Sequence, residues 1–187
     1  MSTDAPTGPT VNWTTEPVEL PGVAPVDPPS EMVQDRLWHG GVPVDYVWVR
    51  DRGIDTVVDL ADADSFPPSQ QVDGISYLKC PLVDGDELPD QGLTTRLADL
   101  VAGLVEDGHR VLVHCTFGRN RSGLLVSLVV RRLLGLTGEE AVRYVQERRQ
   151  GAVNNETFNA WLSSLPALDG SSAGSRQRVA PPGDLGR

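Results

Sequence analysis

One stretch of nine residues, HCTFGRNRS at positions 114–122, combines a nucleophile with groups that bind anions. It follows an apolar run and leads directly into a helix-like segment. A strand that ends in cysteine, followed by five residues, arginine and a helix, curves its backbone N–H groups round a concavity the size of a phosphate. Cys115 would lie at the floor of this concavity, where the amides, the helix N-terminus and Arg121 all favour the thiolate over the thiol. The spacing therefore predicts a nucleophilic thiolate beneath an oxyanion site.

Three further features of the stretch suit this chemistry. Arg121 carries a planar fork of donors that can hold two phosphate oxygens and follow their charge into the transition state. The hydroxyl of Ser122 is placed to help the sulfur leave in a second step. Gly118 lies in mid-loop, where we expect a backbone conformation closed to other residues or a close approach to ligand. We assign the residues between the nucleophile and the arginine to substrate binding: Thr116, Phe117, Gly118, Arg119 and Asn120.

The pattern His114-Cys115-x-x-Gly118-x-x-Arg121-Ser122 resembles the signature loop of the cysteine-dependent protein tyrosine phosphatase superfamily, in its dual-specificity branch. Rhodaneses are a rival, but their usual loop is one residue shorter. Low-molecular-weight tyrosine phosphatases carry a similar loop at the extreme N-terminus, whereas this one lies past mid-chain. The remaining alternative is a buried, inert cysteine after a core strand. The resemblance implies hydrolysis of phosphomonoesters through a phosphocysteine intermediate, with no cofactor.

The resemblance extends over residues 37–165 and points to a second reactive group. LWHG at 37–40 is similar to the family's opening strand, and YLKCPLVD at 77–84 to its segment before the general-acid loop. An alkoxide or phenoxide leaves far faster when a carboxylic acid protonates it. The family pattern places this acid at Asp84. Asp86 of the same acidic loop is the alternative, and some of these carboxylates are simply solvated.

The histidines and the last helix offer weaker signals. Family members use the histidine that matches His114 to hydrogen-bond the loop backbone and support the thiolate, and the alternative is a core histidine that fills space. Asn155 and Phe158 resemble an Asn-x-x-Phe element that braces the loop in related phosphatases. His39 and His109 lack such context, so we expect both to be exposed. The three histidines are scattered without paired-ligand spacing, which predicts no metal site.

The composition describes one domain with tails. The chain has 187 residues, of which 39% are hydrophobic, enough for one core but not for a second full domain. The net charge of −10 argues against a protein that coats nucleic acid or an anionic membrane. No apolar run approaches the roughly 20 residues of a membrane span, and the N-terminus lacks the pattern of a signal segment. Cys80 and Cys115 are too few for a disulfide framework, so we expect a soluble, cytoplasmic protein.

Strands alternate with helices through residues 31–165, the predicted catalytic domain. This pattern predicts a single α/β domain, with a central mixed sheet of four to five strands, helices on both faces and the site at the carboxyl end of a central strand. The strands are expected within 35–41, 55–60, 75–80 and 111–114, and the helices at 44–52, 93–106, 123–134, 137–149 and 156–165. Leu93, Leu97, Leu100, Val101 and Leu104 are expected to share one apolar face of the second helix. Residues 1–30 are predicted to be disordered or loosely ordered, and 166–187 to form a flexible tail.

Three functions remain compatible with these patterns. We expect phosphotyrosine in proteins, with phosphoserine and phosphothreonine, to be the substrate; no nucleic-acid partner is expected. Arg119 adds positive charge beside the pocket and favours, as the alternative, a phosphoinositide or another polyanionic phosphate. Asn120 before Arg121 also resembles the RNA 5′-triphosphatase branch. The third function is a phosphate-binding pseudophosphatase, against which the intact reactive residues argue. Cys80 is interpreted as a small core residue, with a redox pair to Cys115 as the alternative.

Overall fold

The computed structural model of the protein describes residues 18–20, 23–26, 28–43, 46–65 and 72–168. The strands are β1 (Val18–Leu20), β2 (Val23–Val26), β3 (Ser30–Val33), β4 (Leu37–Gly40), β5 (Thr56–Asp59), β6 (Ser76–Lys79) and β7 (Val111–His114). The helices are α1 (Val47–Asp51), α2 (Gln91–Glu106), α3 (Asn120–Leu134), α4 (Gly138–Arg148) and α5 (Glu156–Ser163). Within the described ranges, no helix is long and apolar enough to cross a membrane.

A five-stranded sheet in the order β3-β4-β7-β5-β6 forms the centre of the domain. The four strands β4, β7, β5 and β6 are parallel, and β3 joins the β4 edge in the antiparallel direction. β7, which precedes the Cys-x5-Arg loop, is therefore paired on both sides. The predicted α/β fold with a mixed sheet of four to five strands is confirmed.

Helices cover both faces of this sheet, as predicted. Side chains alternate between the faces along each strand, so Val111 and Val113 of β7 join one apolar cluster while Leu112 joins the other. The larger cluster packs beneath α2, α3, α4 and α5, and the smaller one beneath α1, whose Trp48 and Val49 contribute to it. Both faces of β7 are thus covered by apolar side chains, and the chain reaches the surface at the carboxyl end of this strand.

Helix α3 begins at Asn120, three residues before the predicted start. Arg121 and Ser122 therefore belong to its first turn rather than to the preceding loop. The helix is buried along most of its length, as its apolar composition predicts. The residues Thr137-Gly138-Glu139-Glu140 have the sequence pattern of a capping box, and the structure contains it: the Thr137 hydroxyl accepts from the Glu140 amide, and the Glu140 carboxylate accepts from the Thr137 amide.

Two features of the N-terminal third were not predicted from the sequence. β3 was not predicted, although it forms the antiparallel edge of the sheet. β1 and β2 pair as an antiparallel two-stranded sheet inside residues 1–30, which were predicted to be disordered or loosely ordered. The rest of that segment up to residue 17, and the predicted tail beyond residue 168, lie outside the described residues.

The predicted apolar face of α2 is also wrong in part. Leu93 and Leu100 are 66% and 48% exposed, whereas the buried positions are mostly small residues. The inward face consists of Thr94, Ala98, Val101, Ala102, Gly103 and Val105. Small side chains let α2 approach its neighbour closely, so the helix is rotated away from the face that its leucines suggest.

The catalytic-type loop rests on the end of β4 through Gly118. This residue has φ of +65°, and a Cβ atom built on it would lie 2.1 Å from the carbonyl carbon of Gly40 and 2.2 Å from the Gly41 nitrogen. The predicted special conformation is confirmed, and the close approach is to backbone rather than to a ligand. Gly135 has the same φ of +65° at the end of α3, but nothing lies within 4 Å of its Cβ position.

We expect Gly118→Ala to lower the free energy of unfolding by about 3 kcal/mol or more, because the added methyl collides with rigid backbone. Gly135→Ala is the matched control, since it carries only the cost of a left-handed alanine, about 1–2 kcal/mol. Urea denaturation of both variants measures the difference. Equal losses in the two variants would show that conformation alone, and not packing against β4, requires Gly118.

Candidate active site

Cys115 directly follows β7 and lies at the floor of the loop. Its side chain is buried, with 2% of its surface exposed. Its Sγ lies 3.2 Å from Ser122 Oγ, in the first turn of α3. The sulfur is therefore next to a hydroxyl and to the N-terminal end of a helix, where a negative charge is favoured. The sequence predicted both neighbours.

The guanidinium of Arg121 is buried at the same junction and held by three acceptors. Nη2 donates to Thr116 Oγ1 at 2.9 Å, and Nη1 donates to Asp62 Oδ1 at 3.0 Å and to the Leu82 carbonyl at 3.4 Å. Its Nε has no hydrogen-bond partner among the residues that the structure describes. The side chain is thus fixed by its far end, and the Nε edge remains a donor for an oxyanion.

Asp62 was missed by the sequence analysis, which placed it in an unassigned loop. It follows β5, and its carboxylate forms an ion pair with Arg121 although 68% of its side chain is exposed. The topology of the sheet could have indicated the position of Asp62. The carboxyl ends of neighbouring parallel strands meet at one edge of a sheet, so a residue just after β5 lies near the loop just after β7.

Asp84 lies against the loop, tied to it by two asparagines. Asn120 Nδ2 donates to Asp84 Oδ2 at 3.2 Å, and Asn155 Nδ2 donates to Asp84 Oδ1 at 3.0 Å. Asp86, the alternative, contributes its backbone carbonyl as an acceptor for Thr157 Oγ1 at 3.1 Å. The structure therefore brings the Asp84 carboxylate to the loop and uses the Asp86 backbone to fix the acidic segment.

Asn155 makes the bracing contacts that the Asn-x-x-Phe resemblance implied. Its side-chain oxygen caps α5 by accepting from the Phe158 amide at 3.1 Å. Its backbone N–H donates to Asn120 Oδ1 at 3.0 Å, and its Nδ2 also donates to the Gly85 carbonyl at 2.9 Å. One residue thus joins the cap of the last helix, the catalytic-type loop and the acidic loop.

His114 is fully buried below the loop. Its Nδ1 lies 3.4 Å from the Cys115 carbonyl oxygen and 3.8 Å from Asp59 Oδ1. Burial lowers the pKa of His114 to about 4, against the opposing pull of the Asp59 carboxylate. The ring is therefore neutral near pH 7, and its contact with Asp59 is not an ion pair. The expected contact with the loop backbone is present.

Asp59, at the end of β5, carries a buried carboxylate next to His114. It has no exposed surface and accepts hydrogen bonds from Lys79 Nζ at 2.8 Å, from the Ala61 amide at 2.8 Å and from Tyr77 Oη. These donors satisfy the carboxylate, as a buried charge requires. Burial, followed by the hydrogen bond and charge of Asp59, raises the pKa of Tyr77, so the phenol stays protonated as a donor.

His39 contradicts the sequence analysis, which predicted an exposed side chain. It is 0% exposed, and its Nε2 lies 3.0 Å from Ser122 Oγ. The prediction failed because β4 lies inside the sheet, between β3 and β7, and α3 packs over the face that carries His39. The other histidine predicted to be exposed, His109, is indeed 47% exposed.

The remaining loop residues differ in their environment. Phe117 is 50% exposed and Arg119 is exposed, whereas Thr116 and Asn120 are half-buried and make the hydrogen bonds described above. Cys80 is half-buried, packs against the core and is a free thiol like Cys115. Burial, aided by Asp59, raises the pKa of Cys80. In the described part of the chain, no group of three or more His, Cys, Asp or Glu side chains is arranged to hold a metal ion.

A mostly parallel sheet with a buried cysteine and an arginine at its central strand-to-helix junction defines the Cys-x5-Arg class of α/β domains. Residues 47–166 match the family model described as dual specificity phosphatase, catalytic domain. The chain belongs to this family.

Named relatives are similar over part of their length. Protein tyrosine phosphatase type IVA 2 of Mus musculus is 32% identical over 105 residues, which cover 56% of this chain and 62% of that protein. Dual specificity protein phosphatase 12 of Rattus norvegicus is 27% identical over 156 residues, which cover 80% of this chain and 45% of that protein. The chain therefore spans less than two thirds of the length of these curated relatives.

Solved structures share the fold. The crystal structure of Tk-PTP in the active form has a TM-score of 0.63 at 24% identity and covers 72% of this chain and 95% of that chain. The crystal structure of human DUSP28 has a TM-score of 0.63 at 21% identity and covers 79% of this chain and 94% of that chain. The crystal structure of PTPMT1 in complex with PI(5)P has a TM-score of 0.61 at 19% identity and covers 70% of this chain and 89% of that chain.

Buried neutral histidine makes the stability of the protein depend on pH. The unfolded chain binds a proton at His114 near pH 6.5, whereas the folded chain does so near pH 4, because burial lowers the pKa. The unfolded state therefore binds more protons between these pH values. The stability that the neutral His114 contributes is fully present above about pH 6.5 and is lost as the pH falls toward 4. His39, whose pKa is also lowered by burial and by Arg149, acts in the same direction.

We expect the free energy of unfolding to fall by about 2 kcal/mol between pH 7 and pH 5 from His114 alone. Urea denaturation at several pH values measures this slope. The variant His109→Gln removes a histidine whose ring is about half exposed, and it should keep most of the slope. A flat profile for the wild type would contradict the buried neutral state.

Proposed function

We propose that the protein is a phosphatase that hydrolyses phosphotyrosine in proteins, and phosphoserine and phosphothreonine as well, through a phosphocysteine intermediate. The observation that carries the proposal is the shared position of three groups. The Cys115 sulfur and the Arg121 guanidinium are buried at one strand-to-helix junction, and Asn120 of the same loop holds the Asp84 carboxylate. Membership of the dual specificity phosphatase family supports this assignment.

In the first half-reaction, the Cys115 thiolate attacks phosphorus and the bond to the ester oxygen breaks. The backbone amides of the loop and the Nε edge of Arg121 bind the non-bridging oxygens and stabilise the charge that they carry in the transition state. Asp84 acts as general acid and gives its proton to the departing oxygen. The products are a free alcohol or phenol and a phosphorylated Cys115.

In the second half-reaction, water attacks phosphorus and the bond to sulfur breaks. Asp84 now acts as general base and takes the proton from water, which restores its acid form. The sulfur leaves as a thiolate, and the Ser122 hydroxyl at 3.2 Å can donate a hydrogen bond to it. His114, through its contact with the Cys115 carbonyl, supports the loop that holds this sulfur. Inorganic phosphate is released and the enzyme is regenerated.

The choice of phosphoprotein substrates rests on the relatives. Those described above are named protein tyrosine phosphatase and dual specificity protein phosphatase. Phe117, half exposed in the loop, offers an apolar surface beside the pocket for a phosphorylated aromatic ring. We also propose a reducing, cytoplasmic location, which would keep Cys80 and Cys115 as the free thiols that the chemistry needs.

We expect Cys115→Ser to abolish release of phosphate from a phosphotyrosine peptide, because the hydroxyl is not ionised at neutral pH. Asp84→Asn should lower kcat by about 100-fold or more through loss of the proton donor. Asp86→Asn is the matched control in the same loop and should change kcat less than about threefold. A larger loss in Asp86→Asn would move the general acid there. Wild-type protein that binds phosphopeptides without turnover would instead support a phosphate-binding pseudophosphatase.

One observation favours a second candidate function, the hydrolysis of phosphoinositides or other polyanionic phosphates. A cavity of about 540 Å³ lies between the loop and the end of α4, and Arg119, Arg148 and Arg149 all line it. Arg149 is buried and donates to the Gly118 and Pro28 carbonyls, so it joins the cavity to the loop. In a chain with a net charge of −10, this is a local concentration of positive charge beside the phosphate site.

If polyanionic phosphates are the substrates, Arg119→Gln should lower kcat/KM for a soluble phosphoinositide bisphosphate about tenfold, because a charge-assisted hydrogen bond is lost. The loss for a phosphotyrosine peptide should stay below about threefold. Arg143→Gln, on α4 but outside the cavity, controls for the change in overall charge. Phosphate release from both substrates measures the ratio, and equal effects on the two would remove this candidate.

A further inference from the structure

A chain of three polar side chains runs from β4 to the sulfur. His39 Nε2 lies 3.0 Å from Ser122 Oγ, and Ser122 Oγ lies 3.2 Å from Cys115 Sγ. All three side chains are buried, and the first link joins residues that are 83 positions apart. The hydroxyl can serve as donor in only one of these two contacts, so the tautomer of His39 decides which way it points.

The surroundings of His39 select one state of the ring. Burial, and then the positive charge of Arg149, lowers its pKa well below the usual value, so the ring is neutral. A neutral imidazole has one N–H and one acceptor nitrogen. Nδ1 is buried and has no hydrogen-bond partner among the described residues. A proton on Nδ1 would leave a buried donor unsatisfied, which is costly, so the proton belongs on Nε2.

We propose that His39 is a positioning residue of this site, whose Nε2–H donates to Ser122 Oγ and thereby directs the Ser122 O–H at the Cys115 sulfur. The hydroxyl oxygen is then occupied as an acceptor, and its hydrogen is left for the thiolate. His39 touches neither substrate nor the reacting atoms. It acts through the serine, in the free enzyme and again when the sulfur leaves phosphorus; this last role rests on the proposed phosphatase function.

The first experiment needs no substrate. In a Cys80→Ala background, where only Cys115 reacts, the rate of alkylation by iodoacetate is measured against pH. His39→Met, which keeps the volume but lacks a donor, should move the half-maximal rate up by about one pH unit, because the Ser122 O–H is no longer directed at the thiolate. His39→Gln, whose amide N–H can replace Nε2–H, should stay within about a third of a unit of the parent.

Ser122→Ala tests the link itself. It should shift the profile as His39→Met does, and the double variant should shift it no further, because both changes remove one and the same hydrogen bond. Additive shifts, or a His39→Met profile equal to that of the parent, would overturn the proposal. Equal shifts for His39→Met and His39→Gln would also overturn it, since they would show only a packing effect.

Two further measurements keep the outcome decisive. The ¹⁵N chemical shifts of the His39 ring in the unaltered protein report its tautomer even if a variant fails to fold; a proton on Nδ1 overturns the proposal, and one on Nε2 supports it. In phosphopeptide turnover, His39→Met should lower kcat about tenfold at unchanged KM, with accumulation of phosphocysteine. If the wild type has no turnover, the alkylation and ¹⁵N results decide the role of His39, and only the proposed phosphatase function fails.

Discussion

The site depends on the register of four parallel strands. Gly40, His114, Asp59 and Lys79 lie side by side in one row across β4, β7, β5 and β6. Each strand ends at this row, so the loops that follow leave the sheet together at one edge. A slip of one residue would turn each side chain to the opposite face. The register therefore decides which groups lie under the Cys-x5-Arg loop, and Gly118, which has no side chain, lets the loop approach the end of β4.

Within the same row of residues, His114 lies between the buried Asp59 carboxylate and the loop that carries Cys115. Asp59 is buried, and Lys79 and Tyr77 neutralise and satisfy it from the side, while His114 stays uncharged between it and the loop. An uncompensated carboxylate here would oppose a thiolate above it. Its effect instead falls on Cys80, whose pKa it raises together with burial. The two cysteines therefore differ through their neighbours: only Cys115 has the helix N-terminus, the loop amides and a buried arginine.

What could be predicted from the sequence was local. The Cys-x5-Arg loop, the Thr137 capping box and the short buried strand before Cys115 each lie within a few consecutive residues. They can therefore be recognised without knowledge of the fold. The burial of His39 and the ion pair of Asp62 with Arg121 could not be found in this way, because they depend on which strand lies inside the sheet and which loops share its edge. The prediction of the buried face of α2 failed for a related reason, because helix packing placed small residues inward instead of the larger leucines.

The proposed proton donor is held differently from the proposed nucleophile. Cys115 and Arg121 are fixed by the sheet and by a buried helix, whereas Asp84 lies in a loop that is neither strand nor helix. Its position depends on Asn120 and Asn155, and Asn155 is itself fixed as the cap of α5. The last helix of the domain therefore helps to fix the position of the Asp84 carboxylate. A weaker cap would loosen the carboxylate and would also weaken the contact between Asn155 and Asn120 of the loop.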